Sequence, residues 1–167
     1  MIRPILFLPE SILRRKAHKV VRIDSDTKAL IADMVETMRV APGVGIAAPQ
    51  VGVSIRVIVV EYGDENNEES PKKLYTLINP EITFPMEAKA SGIEGCLSVP
   101  GLLGEVDRYT KAIIHGMNRQ GKPVKIVAEG WLARVFQHEI DHLDGILYTD
   151  RATKIWKPEQ VNPELDV

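Results

Sequence analysis

The chain has 167 residues, 44% of them hydrophobic and 26% charged, with a formal net charge of −2. Its isoelectric point is near 6.1. That balance predicts one compact domain over residues 1–167 and excludes a polybasic footprint, so neither nucleic-acid binding nor membrane attachment is expected. No apolar run reaches the roughly 18–20 residues that span a bilayer. Pro4 and Pro9 break the apolar start of the chain, and no small-residue cleavage site follows it, so the expected location is the cytoplasm.

In chain order, Asp24-Ser25-Asp26 precedes Leu30, Ile31, Met34, Val35 and Met38 at helical spacing, and Pro42-Gly43 follows. This predicts a helix over 25–40. Residues 43–50 are small and read as a tight loop. The β-branched run 55–60 predicts a buried strand, the acidic stretch 63–73 an exposed loop, and 74–79 a returning strand. Residues 109–117 and 124–128 predict two more strands around the hairpin-like Asn118-Arg119-Gln120-Gly121. A second helix opens at Glu129 or Gly130 and stops near Gly145; the tail, with Pro158 and Pro163, reads as irregular or a short helix. The order helix, strands, helix argues for an α+β fold with an antiparallel or mixed sheet packed against helices.

The second helix carries His138-Glu139-Ile140-Asp141-His142, an HExxH motif. Residues four apart share a helix face, so both imidazoles can reach one metal ion, and Glu139 can take a proton from water bound to it. Trp131, Val135, His138 and His142 fall on one stripe, which puts the histidines among apolar side chains rather than in solvent. Buried imidazoles need partners, and a metal is one.

A catalytic metal of this kind takes three protein ligands and an open position. For the third, an extended HExxHxxGxxH pattern is disfavoured, because Tyr148 stands where its last histidine belongs. Glu159 and Glu164 lie in the proline-containing tail, and nothing specific favours His115 or Asp144. Cys96 is the only cysteine and has no intrachain disulfide partner. Alone it reads as a small buried hydrophobe. Beside Gly95, however, its thiolate can be presented from a sharp backbone to zinc or ferrous iron.

Three segments together resemble one family. Gly43-Val44-Gly45-Ile46-Ala47-Ala48-Pro49-Gln50, Glu94-Gly95-Cys96-Leu97-Ser98 and Gln137-His138-Glu139-Ile140-Asp141-His142 are similar, in order and spacing, to the three motifs of peptide deformylases. The likeness runs to about Arg151 and departs at no motif position.

The resemblance implies sheets packed around a central metal-binding helix. It implies removal of the N-formyl group from the N-terminal methionine of new polypeptides, with release of formate. Cys96, His138 and His142 would hold one divalent ion per chain: ferrous iron in the cell, with zinc, nickel or cobalt able to replace it. Glu139 would be the general base and then the acid. The Gln50 amide and the Leu97 backbone N–H would stabilise the oxyanion, and Gly45 would make a backbone contact to substrate. Val44, Trp131 and Val135 are the expected walls of a methionine pocket. For Arg108 and Glu94, contact with the peptide and structural pairing both stay open. N-formyl-methionyl peptides and nascent chains are the implied partners; transient contact with the ribosome stays open.

Two rival readings remain. An HExxH protease of internal peptide bonds would make Cys96 dispensable. A non-enzymatic metal module would need a fourth protein ligand.

Overall fold

The computed structural model describes residues 1–63, 67 and 69–158. Its first helix, α1 (Ser25–Val40), starts where the Asp24 side chain accepts the Thr27 N–H at 2.9 Å, which satisfies one of the free donors of the first turn. The helix buries Leu30, Ile31, Met34, Val35 and Met38, the residues whose spacing predicted it.

Among the described residues, eight strands follow in chain order: β1 (Gly45–Ala47), β2 (Val57–Tyr62), β3 (Lys73–Thr83), β4 (Lys89–Cys96), β5 (Val99–Tyr109), β6 (Lys111–Met117), β7 (Pro123–Glu129) and β8 (Lys154–Trp156). They form a five-stranded sheet in the order β1-β2-β3-β6-β7 and a three-stranded sheet in the order β4-β5-β8, with every neighbouring pair antiparallel. A second long helix, α2 (Gly130–Leu143), and the short α3 (Tyr148–Arg151) complete the set. The architecture is α+β with antiparallel sheets, as the sequence predicts.

α2 lays Ala133, Phe136, Ile140 and Leu143 against Ile58, Val60, Leu77 and Ile114 of the large sheet. Phe136 is fully buried and meets the Tyr75 ring edge-on at 5.3 Å. Beside this contact, α1 covers Ile46, Val57, Val59 and Ile78. A third cluster, Leu13, Val99, Val106, Leu147 and Tyr148, fills the space near the small sheet. No helix among the described residues is long and apolar enough to cross a membrane.

Three expectations need correction, and one hairpin was not anticipated. Residues 43–50 are not all loop: Gly45–Ala47 pairs with β2, and Ala48–Val51 forms a 3-10 turn. The strand expected over 109–117 begins later, at Lys111, because Tyr109 ends the preceding strand and Thr110 parts the two. The hairpin β4-β5 went unpredicted because Gly92, Gly95, Gly101 and Gly104 dilute its apolar alternation. The stretch after Arg151 is not wholly irregular, since Lys154–Trp156 adds an edge strand to β5. Most of the acidic loop around 64–68, together with Glu159 and Glu164, lies outside the described residues.

Candidate metal centre

The centre forms where the tip of the small sheet meets α2. β4 ends at Cys96, and Cys96 pairs with Val99 across a tight connection through Leu97 and Ser98. This aims the sulfur at the helix. α2 presents His138 and His142 one turn apart, with ring centroids 5.1 Å from each other.

Among the described residues, the ligand atoms of Cys96, His138 and His142 all lie within 4.8 Å of one another. Cys96 Sγ is 3.3 Å from His142 Nε2. The Ser98 backbone N–H donates to the sulfur at 3.4 Å, and Gln50 Nε2 approaches it at 3.7 Å.

Glu94 orders the nearer imidazole. Buried in the small sheet, it would bind its proton more readily than in water. Hydrogen bonds from Arg108 and His138 outweigh that and hold its carboxyl well below the usual range. Ionised, it can only accept, so His138 Nδ1, at 2.8 Å from Oε1, is the donor. That leaves His138 Nε2 facing the cluster. Arg108 grips Glu94 through Nε and Nη2, both at 2.9 Å, and reaches Asp141 Oδ2 through Nη1 at 2.6 Å. The open question about Arg108 and Glu94 resolves toward structural pairing: Arg108 is 4% exposed and its charge is consumed by two carboxylates.

Electrostatics at the cluster fit a cation. Burial alone would lower the His138 pKa, yet neighbouring Cys96, Glu94 and Glu139 push it up to about 10, so with no ion beside it this imidazole itself carries a proton, which a bound cation would displace. His142 is held well below its usual range by burial and by the positive charges of His138 and Arg108. It is therefore neutral, the form that ligates metals. Burial pushes the Glu139 carboxyl up to about 7. Its Oε2 has no hydrogen-bond partner among the described groups, and neither has His142 Nδ1. A cysteine sulfur and two imidazoles suit zinc or ferrous iron as a donor set, and the Glu139 carboxyl stands beside them as a proton-accepting group rather than a ligand.

The centre opens into a cavity of about 600 Å³ whose walls include Gly45, Gln50, Leu97, Trp131, Val135 and Glu139. Val44 sits at its rim, 46% exposed. Gln50 is buried, with Oε1 accepting the Ala47 N–H at 2.9 Å and Nε2 donating to Ser98 Oγ at 3.1 Å. A side chain at Gly45 would place its Cβ 2.9 Å from Glu139 Cγ, so only glycine lets this strand pass the carboxylate.

The other ligands considered lie elsewhere: His115 is exposed on β6 opposite Lys125, and Asp144 pairs with Arg56 at 3.0 Å. Tyr148 hydrogen-bonds the Leu102 carbonyl at 3.1 Å. Three contributors went unseen in the sequence: Ser98, which steadies Gln50, Arg134 in the cavity wall, and Gln137. Gln137 pins α2 to β5 through both backbone groups of Tyr109. Ser98 and Gln137 belong to the quoted motifs, so position could have flagged them; Arg134 gave no signal.

Residues 2–157 match the family described as polypeptide deformylase. The chain belongs to the polypeptide deformylase family. Members of this family are enzymes that remove N-formyl groups from nascent peptides.

A peptide deformylase of Symbiobacterium thermophilum is 54% identical over 88% of this chain and 65% of its own length. The chain thus spans a little under two thirds of that relative. A peptide deformylase of Natranaerobius thermophilus is 45% identical, covering 95% of this chain and 97% of the relative. A class I type b peptide deformylase of Acinetobacter baumannii, solved with Met-Ala-Ser bound, matches with a TM-score of 0.83 at 36% identity, over 90% of this chain and 98% of that one.

Proposed function

We propose that this chain, acting as one catalytic unit, hydrolyses the formamide of N-formyl-methionyl peptides and nascent chains in the cytoplasm. Cys96, His138 and His142 hold one divalent ion. The observation that carries the reading is the meeting of a mid-chain sulfur with two imidazoles from α2, beside the unpartnered Glu139 Oε2, in the wall of a cavity large enough for a methionyl residue. Ferrous iron is the resident ion in this reading, and zinc, nickel or cobalt can replace it, since a thiolate with two imidazoles suits all of them.

When bound, the ion supplies Lewis acidity, which makes a poorly electrophilic formamide carbonyl easier to attack and water easier to deprotonate. The remaining steps belong to the protein. Glu139 accepts a proton from water as the water oxygen bonds to the formyl carbon. Negative charge moves to the former carbonyl oxygen. There the Gln50 amide and the Leu97 N–H donate to it, the Gln50 amide already held in place by Ala47 and Ser98. Glu139 then returns the proton to the nitrogen as the C–N bond breaks, releasing formate and a free methionyl amine.

The Gly45 backbone contacts the substrate, and Val44, Trp131 and Val135 enclose the methionine side chain. Formyl is the smallest acyl group, so close walls exclude acetyl by steric clash. The Acinetobacter relative, solved with a methionine-first tripeptide, supports a product of this kind.

The deciding assay measures formate release from formyl-Met-Ala by iron-loaded protein kept under anaerobic conditions, with acetyl-Met-Ala and an internal peptide as comparisons. Turnover of the formyl substrate alone is expected. Cleavage of the internal peptide, with activity and metal retained in Cys96→Ser, would overturn the reading in favour of a protease.

A further inference from the structure

Glu94 collects four donors, two of them from Arg108 in its own sheet and two, from Arg134 and His138, across the seam to α2. Arg108 sits on β5, within the same small sheet as Glu94. Arg134 sits on α2, one turn before His138. Its Nη1 donates to Glu94 Oε2 and to the Val106 carbonyl, both at 2.8 Å, and its Nη2 to the Ala90 carbonyl at 2.8 Å. One guanidinium thereby ties the helix to both long strands of the small sheet. The His138 to Glu94 hydrogen bond crosses the same seam one turn further on.

Arg134 is 6% exposed yet borders the substrate cavity, with its guanidinium 5.5 Å from the centre of the Trp131 ring. Burying a guanidinium against an apolar pocket is costly, and an aliphatic wall would avoid that penalty. β4 is shaped around it: a Cβ on Gly92 would lie 2.7 Å from Arg134 Cζ and 2.8 Å from Nε. That guanidinium is pinned by three hydrogen bonds and has little freedom to yield. Arg134 and Gly92, on different elements, are matched across one contact.

We infer that Arg134 is a positioning residue of the metal centre. It acts through Glu94, fixing Oε2 so that Oε1 stays on His138 Nδ1 and His138 Nε2 stays aimed at the ion. Gly92 is the backbone opening that admits it. This role rests on the metal-binding reading given above.

The test uses full-length protein titrated with cobalt(II), comparing wild type with Arg134→Met, Arg134→Lys, Gly92→Ala, the double variant Arg134→Met/Gly92→Ala, and Cys96→Ser. The readouts are cobalt affinity by chelator competition, the thiolate-to-cobalt and ligand-field absorption bands, and the melting temperature of the metal-free proteins. Loss of a group that orients a metal ligand weakens binding by about 10- to 100-fold. Arg134→Met and Gly92→Ala should each approach the lower end of that range, with displaced ligand-field bands. Arg134→Lys should recover part of the affinity. The double variant should be no weaker than the worse single one, because both changes remove the same contact. Wild-type affinity and bands in a folded Arg134→Met or Gly92→Ala would overturn the positioning role while leaving the metal reading intact. Wild-type cobalt binding by Cys96→Ser would instead overturn the metal reading.

Discussion

Glu139 Oε2 is buried without a hydrogen-bond partner among the described residues, and such a group normally costs about 1–3 kcal/mol. A side chain kept at that penalty is one whose oxygen is needed free. Glu139→Gln preserves shape but cannot shuttle a proton. It should keep wild-type metal content while turnover falls by roughly 10²- to 10⁴-fold, the usual worth of general acid–base catalysis. Formate release and elemental analysis on the same sample check both halves.

Gln50 predicts a different signature. Removing one oxyanion donor costs about 10²- to 10³-fold in kcat, so Gln50→Ala should lose turnover far more than metal. A parallel loss of metal would mean that the 3.7 Å approach of Gln50 to the sulfur matters more than the oxyanion. At this scale the reactive groups were legible because their chemistry and spacing are inflexible: His138 and His142 must be one helical turn apart. Arg134 was not. An arginine in a helix is ordinary, and only the fold shows that Glu94 and two strand carbonyls surround it.

α2 is the element on which the site depends, because its other face is bolted to the large sheet. Phe136 comes two residues before His138 on α2, and it is fully buried against Tyr75. Phe136→Ala should destabilise the fold by about 3–5 kcal/mol, measured by denaturant unfolding, and loosen the helix that carries the ligands. Helical periodicity made α1 and α2 readable, since a buried stripe recurs plainly in sequence. The hairpin β4-β5 was hidden by the same demand that shapes the site. Gly92 must be bare to admit Arg134, and a strand punctuated by glycine loses the alternation by which strands are recognised. The edge strand β8 was missed for another reason: it has three residues, too few to show a period.

For the whole molecule, the ion would join parts that the chain keeps separate. Cys96 belongs to the small sheet and the two histidines to a helix packed on the large one. A ligand that binds only the folded state stabilises it by mass action, by about 4 kcal/mol at a thousandfold excess over Kd. Chelation should therefore lower the melting temperature and make it depend on metal concentration, and Cys96→Ser should flatten that dependence. Calorimetry across a metal titration reads both. The fold class followed from element order alone, whereas the split into two sheets did not, because strand partnering is set by contacts distant in sequence.

The sulfur at position 96 is the chain's sole thiol, and the absence of a second one has a chemical sequel. Oxidant reaching the apoprotein would convert this sulfur to a sulfenic acid, which ordinarily is rescued by condensing with a resolving cysteine nearby. Within one copy of this chain no such capture is available, so oxidation should proceed to the sulfinic and sulfonic acids. Intact-mass spectra after peroxide exposure should show additions of two and three oxygens on Cys96, suppressed when zinc is bound.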